Sequence, residues 1–244
     1  MFGWRARIGF LVPPGNPTVE PECYRMTPPG VSLHFARLQS PPPDGPAGGA
    51  AGMEERTRAY REGLDEPAQA LGQVRPAVIV LAHTASSYAL GVGQEQPLID
   101  RIARAAGAPV LLAAHAARDA LHHLGVRRLA LGTPYPEAIS RQGRAYWEAS
   151  GFEVVGYHRL ADVVDIYAES EERAYQLARR AHVPQAQAVL LSGTGLPTAA
   201  VLETLERDLG TPVISSNQAC LWRALRLAGV REPVPGFGRL LREA

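Results

Sequence analysis

An internal duplication constrains this chain most. Gly107-Ala108-Pro109-Val110-Leu111-Leu112 is answered by Gly210-Thr211-Pro212-Val213-Ile214-Ser215, and Ala120-Leu121 with Gly125-Val126-Arg127 by Ala224-Leu225 with Gly229-Val230-Arg231. The offset drifts only from 103 to 104 positions, so one inserted residue reconciles the copies. Upstream of each, an apolar run stops abruptly at small and hydroxylic residues. These are Val78-Ile79-Val80-Leu81-Ala82-His83-Thr84 and Val189-Leu190-Leu191-Ser192-Gly193-Thr194-Gly195. Further upstream, Ile8-Gly9-Phe10-Leu11-Val12-Pro13-Pro14 answers Leu129-Ala130-Leu131-Gly132-Thr133-Pro134-Tyr135. A buried parallel strand that delivers a loop to a pocket has this signature. The shared order of the segments implies two related lobes with one ligand held between them.

Composition narrows the function classes. At 244 residues, one large domain or two small lobes can each bury a core. A net charge of +1 with 20% charged residues gives no footprint for nucleic acid or an anionic membrane. No apolar run approaches the roughly 20 residues that span a bilayer. Residues 1–7 hold no signal-peptide core, so a cytoplasmic location is the expectation. Cys23 and Cys220 make neither a disulfide framework nor a metal-ligand spacing, and read as small buried hydrophobes. His115, His122 and His123 lack the i, i+4 pairing of helical zinc sites, so no metal is expected. The chain has no Gly-x-Gly-x-x-Gly and no P-loop, which leaves nucleotide cofactors unsupported. Ser192-Gly193-Thr194-Gly195 is not a Gly-x-Ser-x-Gly nucleophile elbow.

Apolar runs alternate with helical patterns, the sign of βαβ units in an α/β protein. Strands are predicted near Arg7–Val12, Ser32–Leu38, Ala77–Leu81, Val110–Leu112, Arg128–Leu131, Glu153–His158, Ala188–Leu191 and Pro212–Ser215. Helices are predicted near Pro17–Met26, Met53–Leu71, Gln96–Ala106, Ala116–Leu124, Pro136–Ala149, Glu169–Arg180, Pro197–Leu209 and Gln218–Leu227. The Pro- and Gly-rich stretch from Ser40 to Gly49 is a loop after the second strand, read as a solvated connector in preference to a lid. The expected division is a first lobe over residues 1–113, completed by a C-terminal helix within 217–244, and a second lobe over 114–216.

Nearly the whole length resembles the aspartate/glutamate racemase superfamily, in particular its maleate isomerase and arylmalonate decarboxylase branch. The resemblance rests on Val12-Pro13-Pro14-Gly15-Asn16-Pro17-Thr18-Val19-Glu20, His83-Thr84-Ala85-Ser86-Ser87-Tyr88, Gly132-Thr133-Pro134-Tyr135, Leu191-Ser192-Gly193-Thr194-Gly195-Leu196 and Val213 through Trp222. It implies two pseudo-symmetric Rossmann-like lobes with parallel sheets, a small carboxylate or dicarboxylate in the cleft, and no metal or organic cofactor. It also implies a homodimer or higher homo-oligomer. The family's chemistry uses cysteines at two strand tips. Here those positions correspond to His83 and Gly193, so both usual catalytic cysteines are replaced.

The binding half of such a site remains. Thr84, Ser86 and Ser87 at one tip and Ser192, Gly193, Thr194 and Gly195 at the other supply hydroxyls and backbone N–H groups suited to a carboxylate. Pro14 and Asn16 belong to the same candidate pocket by resemblance, although Asn16 also reads as a helix N-cap before Pro17. Asp162, Asp165 and Tyr167 fall on a loop that the resemblance places near the cleft. His83 and Tyr135 are the candidate catalytic residues: an imidazole exchanges protons near neutrality, and a phenol stabilises a developing enediolate. The competing readings are a histidine that only hydrogen-bonds a ligand and a tyrosine that only packs between lobes. Overall the residues predict a cofactor-independent isomerase or decarboxylase of a small carboxylate. The alternative is a non-catalytic carboxylate-binding or regulatory protein.

Overall fold

A computed structural model describes residues 2–39 and 52–243. The connector expected from Ser40 to Gly49 lies outside these residues. In chain order the elements of the first half are β1 (Ala6–Val12), α1 (Val19–Met26), β2 (Val31–Arg37), α2 (Met53–Glu62), α3 (Asp65–Gly72), β3 (Val78–Leu81), α4 (Thr84–Leu90), α5 (Gln96–Ala106), β4 (Val110–Leu112) and α6 (Ala113–His123). The second half continues with β5 (Arg128–Thr133), α7 (Glu137–Ala149), β6 (Glu153–Arg159), α8 (Glu171–Ala181), β7 (Ala188–Leu191), α9 (Leu202–Leu209), β8 (Val213–Ser215), α10 (Ser216–Leu227) and α11 (Arg239–Arg242).

The duplication reappears as topology. One sheet runs β2-β1-β3-β4 and the other β6-β5-β7-β8, and every described pairing is parallel. Alternation along the strands sends side chains to two faces. Ile8, Phe10, Val12, Val78 and Val80 share one core with Leu129, Leu131, Leu190 and Ile214 of the second sheet. The opposite faces bury Leu11, Ile79 and Leu81 with α3 and α5, and Ala130, Val189 and Leu191 with α8 and α9. The shared core joins the two sheets. Helix α10, which follows β8, packs against α1 and α6 of the first half.

Four helix predictions need correction. The single helix expected over Met53–Leu71 is two, because Pro67 has no N–H for a continuing helix and its ring clashes with the preceding turn. No helix is expected from the sequence over Thr84–Leu90, where α4 forms. These residues are rich in weak helix formers, and burial against α7 sets their conformation. Helix α9 begins at Leu202, since residues 193–201 form turns at the cleft. Helix α10 begins at Ser216, where Ser215 and Gln218 close a capping box.

Candidate functional site

In each sheet the chain leaves the central strand on opposite sides, which opens a crevice at the carboxyl ends of β1 and β3 and of β5 and β7. The four tips meet at one pocket. Asn16 follows β1, His83 follows β3, Tyr135 follows β5, and Thr194 and Gly195 follow β7. Helix α2 contributes Met53, Arg56 and Tyr60, and the segment between β6 and α8 contributes Ile166 and Tyr167. The pocket therefore draws on both halves of the duplication.

His83 is half-buried at the pocket wall, with its Nδ1 at 2.8 Å from the Ser86 hydroxyl. The Tyr60 ring meets it edge-on, with centroids 5.1 Å apart. Burial, then the positive charges of Arg61 and Arg56, push the imidazole down from its usual value to about 4. It is thus a neutral imidazole at neutral pH, with Nε2 as the nitrogen left for other partners. The unfolded chain protonates this residue first as pH falls, so folded stability should be lost between pH 6.5 and 4 and unaffected above that window. Discounted for partial exposure, the loss is on the order of 2 kcal/mol. Chemical denaturation of wild type and His83→Gln at pH 7.5 and 4.5 measures it. An equal acid loss in both proteins would assign the effect elsewhere.

Around His83 lies a set of short polar contacts. The Thr84 hydroxyl donates to Ser216 Oγ at 3.3 Å, and Ser216 Oγ accepts the Gly193 N–H at 3.0 Å. The Tyr135 hydroxyl hydrogen-bonds Thr84, and burial raises its pKa far above the usual phenol range, so it stays a neutral hydroxyl. Asn16 lines the pocket but is not the N-cap of α1, which is Thr18; it closes the turn before the helix instead. Its Oδ1 accepts from the Thr18 and Val19 N–H groups at 2.8 and 3.2 Å, while Nδ2 reaches Thr194 Oγ1 at 3.5 Å. Among the described residues the Thr194 and Gly195 backbone N–H groups meet no acceptor, which leaves two donors beside the pocket.

The loop after β7 is held from the first half of the chain. Thr194 Oγ1 donates to the Ala82 carbonyl at 2.9 Å, and Thr18 Oγ1 donates to the Gly195 carbonyl at 3.0 Å. Behind it, buried Glu22 accepts from the Ala199 N–H at 2.6 Å, from Asn217 Nδ2 at 2.7 Å and from the Thr198 N–H. Asn217 Nδ2 also reaches the Thr194 carbonyl at 3.1 Å. Gly193 itself has φ +137°, and a Cβ there would meet Pro134 Cγ at 3.0 Å and the Tyr135 hydroxyl at 3.3 Å. Gly193→Ala should therefore cost roughly 1–3 kcal/mol of stability, read by thermal melting, because an L side chain is strained in that conformation. An unchanged melting temperature would show that the loop relaxes freely.

Several residues singled out in the sequence face elsewhere. Pro14 is exposed and does not line the pocket. Ser86 stands behind His83 as its hydrogen-bond partner. Ser87 hydrogen-bonds Glu95, which also accepts from the Tyr146 hydroxyl at 2.7 Å. Ser192 Oγ lies 2.5 Å from the Tyr88 hydroxyl, itself an acceptor for Trp147 Nε1 at 2.8 Å. Asp162 pairs with Arg173 at 2.7 Å, and Asp165 caps the Tyr167 N–H at 2.9 Å. Cys23 and Cys220 are fully buried outside the pocket lining, and burial raises both thiols, Cys220 to about 12. Such thiols form little thiolate.

Met53, Arg56, Tyr60 and Ile166 line the pocket without having been singled out in the sequence. The first three have a legible signal, because the spacing i, i+3, i+7 places them on one face of the predicted helix. Glu22 had one too: it sits in the stripe Val19, Glu22, Cys23, Met26, where a carboxylate among apolar residues needs partners.

Comparison with known proteins gives the family and the fold. The chain is 30% identical over 249 residues to the maleate isomerase of Nocardia farcinica, covering 97% of this chain and 96% of that one. It is 30% identical over 253 residues to the arylmalonate decarboxylase of Bordetella bronchiseptica, covering 97% of each. Among solved structures, a cysteine-to-serine variant of the Nocardia farcinica maleate cis-trans isomerase, with a covalently bound succinylcysteine intermediate, superposes with a TM-score of 0.87 at 27% identity. That match covers 98% of this chain and 99% of that one. A crystal structure of arylmalonate decarboxylase gives a TM-score of 0.79 at 28% identity, covering 98% of this chain and all of that one (100%). The family model described as arylmalonate decarboxylase matches residues 8–241, and on that match this chain belongs to the arylmalonate decarboxylase family.

Proposed function

We propose that this protein is a cofactor-independent enzyme that decarboxylates or isomerises a small carboxylate through an enediolate, with His83 transferring the proton. The observation that carries the reading is the convergence of four strand tips on one pocket, with an imidazole beside neutral donors. Tyr135 and the Thr194 and Gly195 N–H groups supply donors for the ligand carboxylate and for the charge that grows on it. In decarboxylation the departing carboxylate leaves as CO₂ and its C–C electron pair becomes the enediolate. A proton from His83 then restores the C–H bond. In isomerisation the same group moves a proton on and off carbon.

Proton transfer is favoured over addition of a thiol to a double bond, because the two thiols are buried and their pKa values raised. An anionic ligand also favours the imidazolium, so binding itself would prepare His83 to donate. A proton-NMR assay in D₂O with maleate, arylmalonates, aspartate, glutamate and other small dicarboxylates tests the reading, since isomerisation, decarboxylation and α-proton exchange leave different signals. Turnover of one of them is the expected result. Silence across the panel with folded protein that still binds a carboxylate would favour the non-catalytic binding protein instead.

A further inference from the structure

We propose that Arg56 is a specificity-determining residue that selects a substrate with a second anionic group at the α2 wall, over one with an aryl or alkyl group there. The inference rests on the carboxylate reading above and adds the residue that sorts substrates. Arg56 and Tyr60 lie on one face of α2 and both line the pocket, and Tyr60 hydrogen-bonds the guanidinium. That bond helps fix the orientation of a planar fork suited to a carboxylate. The carbon chain of a ligand would lie against Met53 and Ile166, which are also in the wall.

Charge points the same way. Among the described residues the pocket lining carries a guanidinium and no aspartate or glutamate. The influence of Arg56 extends to His83, where Arg61 joins it, and to Tyr167, where Arg37 joins it and Asp165 opposes both. An apolar substituent placed here would strip water from the guanidinium without returning a hydrogen bond, a cost that an anionic one avoids.

Titration calorimetry of wild type, Arg56→Gln and Arg56→Lys with succinate and with butyrate separates the possibilities at constant ionic strength. The two ligands have equal chain length, and butyrate lacks the second charge. Arg56→Gln is expected to weaken succinate binding roughly 10- to 100-fold while leaving butyrate nearly unchanged, and Arg56→Lys to fall between because a lysine keeps the charge and loses the fork. Equal weakening of both ligands, no weakening of either, or wild-type preference for butyrate would each overturn the role of Arg56 and leave the carboxylate site standing. If folded wild type binds neither ligand, the carboxylate reading itself fails. Melting curves of both variants establish that they are folded.

Discussion

His83→Gln is expected to lower turnover roughly 10²- to 10⁴-fold, the range a positioned proton-transfer group contributes. Glutamine retains an amide able to hydrogen-bond the Ser86 hydroxyl, which lies 2.8 Å from the imidazole in the parent. It has no titratable nitrogen. Ligand affinity should change little, because the carboxylate donors belong to Tyr135 and the loop after β7. Burial and the charges of Arg61 and Arg56 hold the imidazole at about 4. A bound anion opposes both effects, so the complex should titrate above that value. For a proton donor, kcat in the wild type then falls as pH rises through the bound-state pKa, and this inflection is absent from His83→Gln. The D₂O assay run across pH reads rate and inflection together. A variant that retains both would remove His83 from the chemistry.

The largest stability effect is expected at Glu22, far from any proton transfer. Glu22→Ala should lower Tm by roughly 10 °C, because four buried donors lose their acceptor at about 1–3 kcal/mol each, partly recovered by entering water. Those donors are the Thr198 and Ala199 N–H groups, the Thr198 hydroxyl and the Asn217 amide. Burial raises the carboxyl of Glu22, and its hydrogen bonds pull it back, so the site favours an acceptor of this size whose interactions are fully met. Glu22→Gln keeps the shape but turns one acceptor into a donor facing other donors, and should fall between alanine and the parent. Since Asn217 also holds the Thr194 carbonyl, Glu22→Ala should raise KM for the carboxylate as well. Thermal denaturation by circular dichroism tests the first effect. A Tm within about 2 °C of the parent would show that the network is not what closes the lobes.

What the sequence determined by itself was the doubled architecture. Parallel strands buried on both faces read as short apolar runs, and their order repeats, so the strand positions and the two-sheet topology follow from residues 8–14, 78–84, 129–135 and 189–195. The same order located the ends of β1, β3, β5 and β7, where the pocket lies. Which hydroxyls face the pocket depends on contacts distant in sequence: the side chains of Thr84, Ser87 and Ser192 are taken by Ser216, Glu95 and Tyr88. Folding also brings Tyr60 of α2 against His83, Arg56 of α2 into the same pocket lining, and Glu22 of α1 against the turn after β7. The physical reason is that strand and helix periods are local, fixed by backbone geometry within a few residues. The direction of a side chain at a strand tip depends instead on loop dihedrals and on the partner that folding places across the cleft.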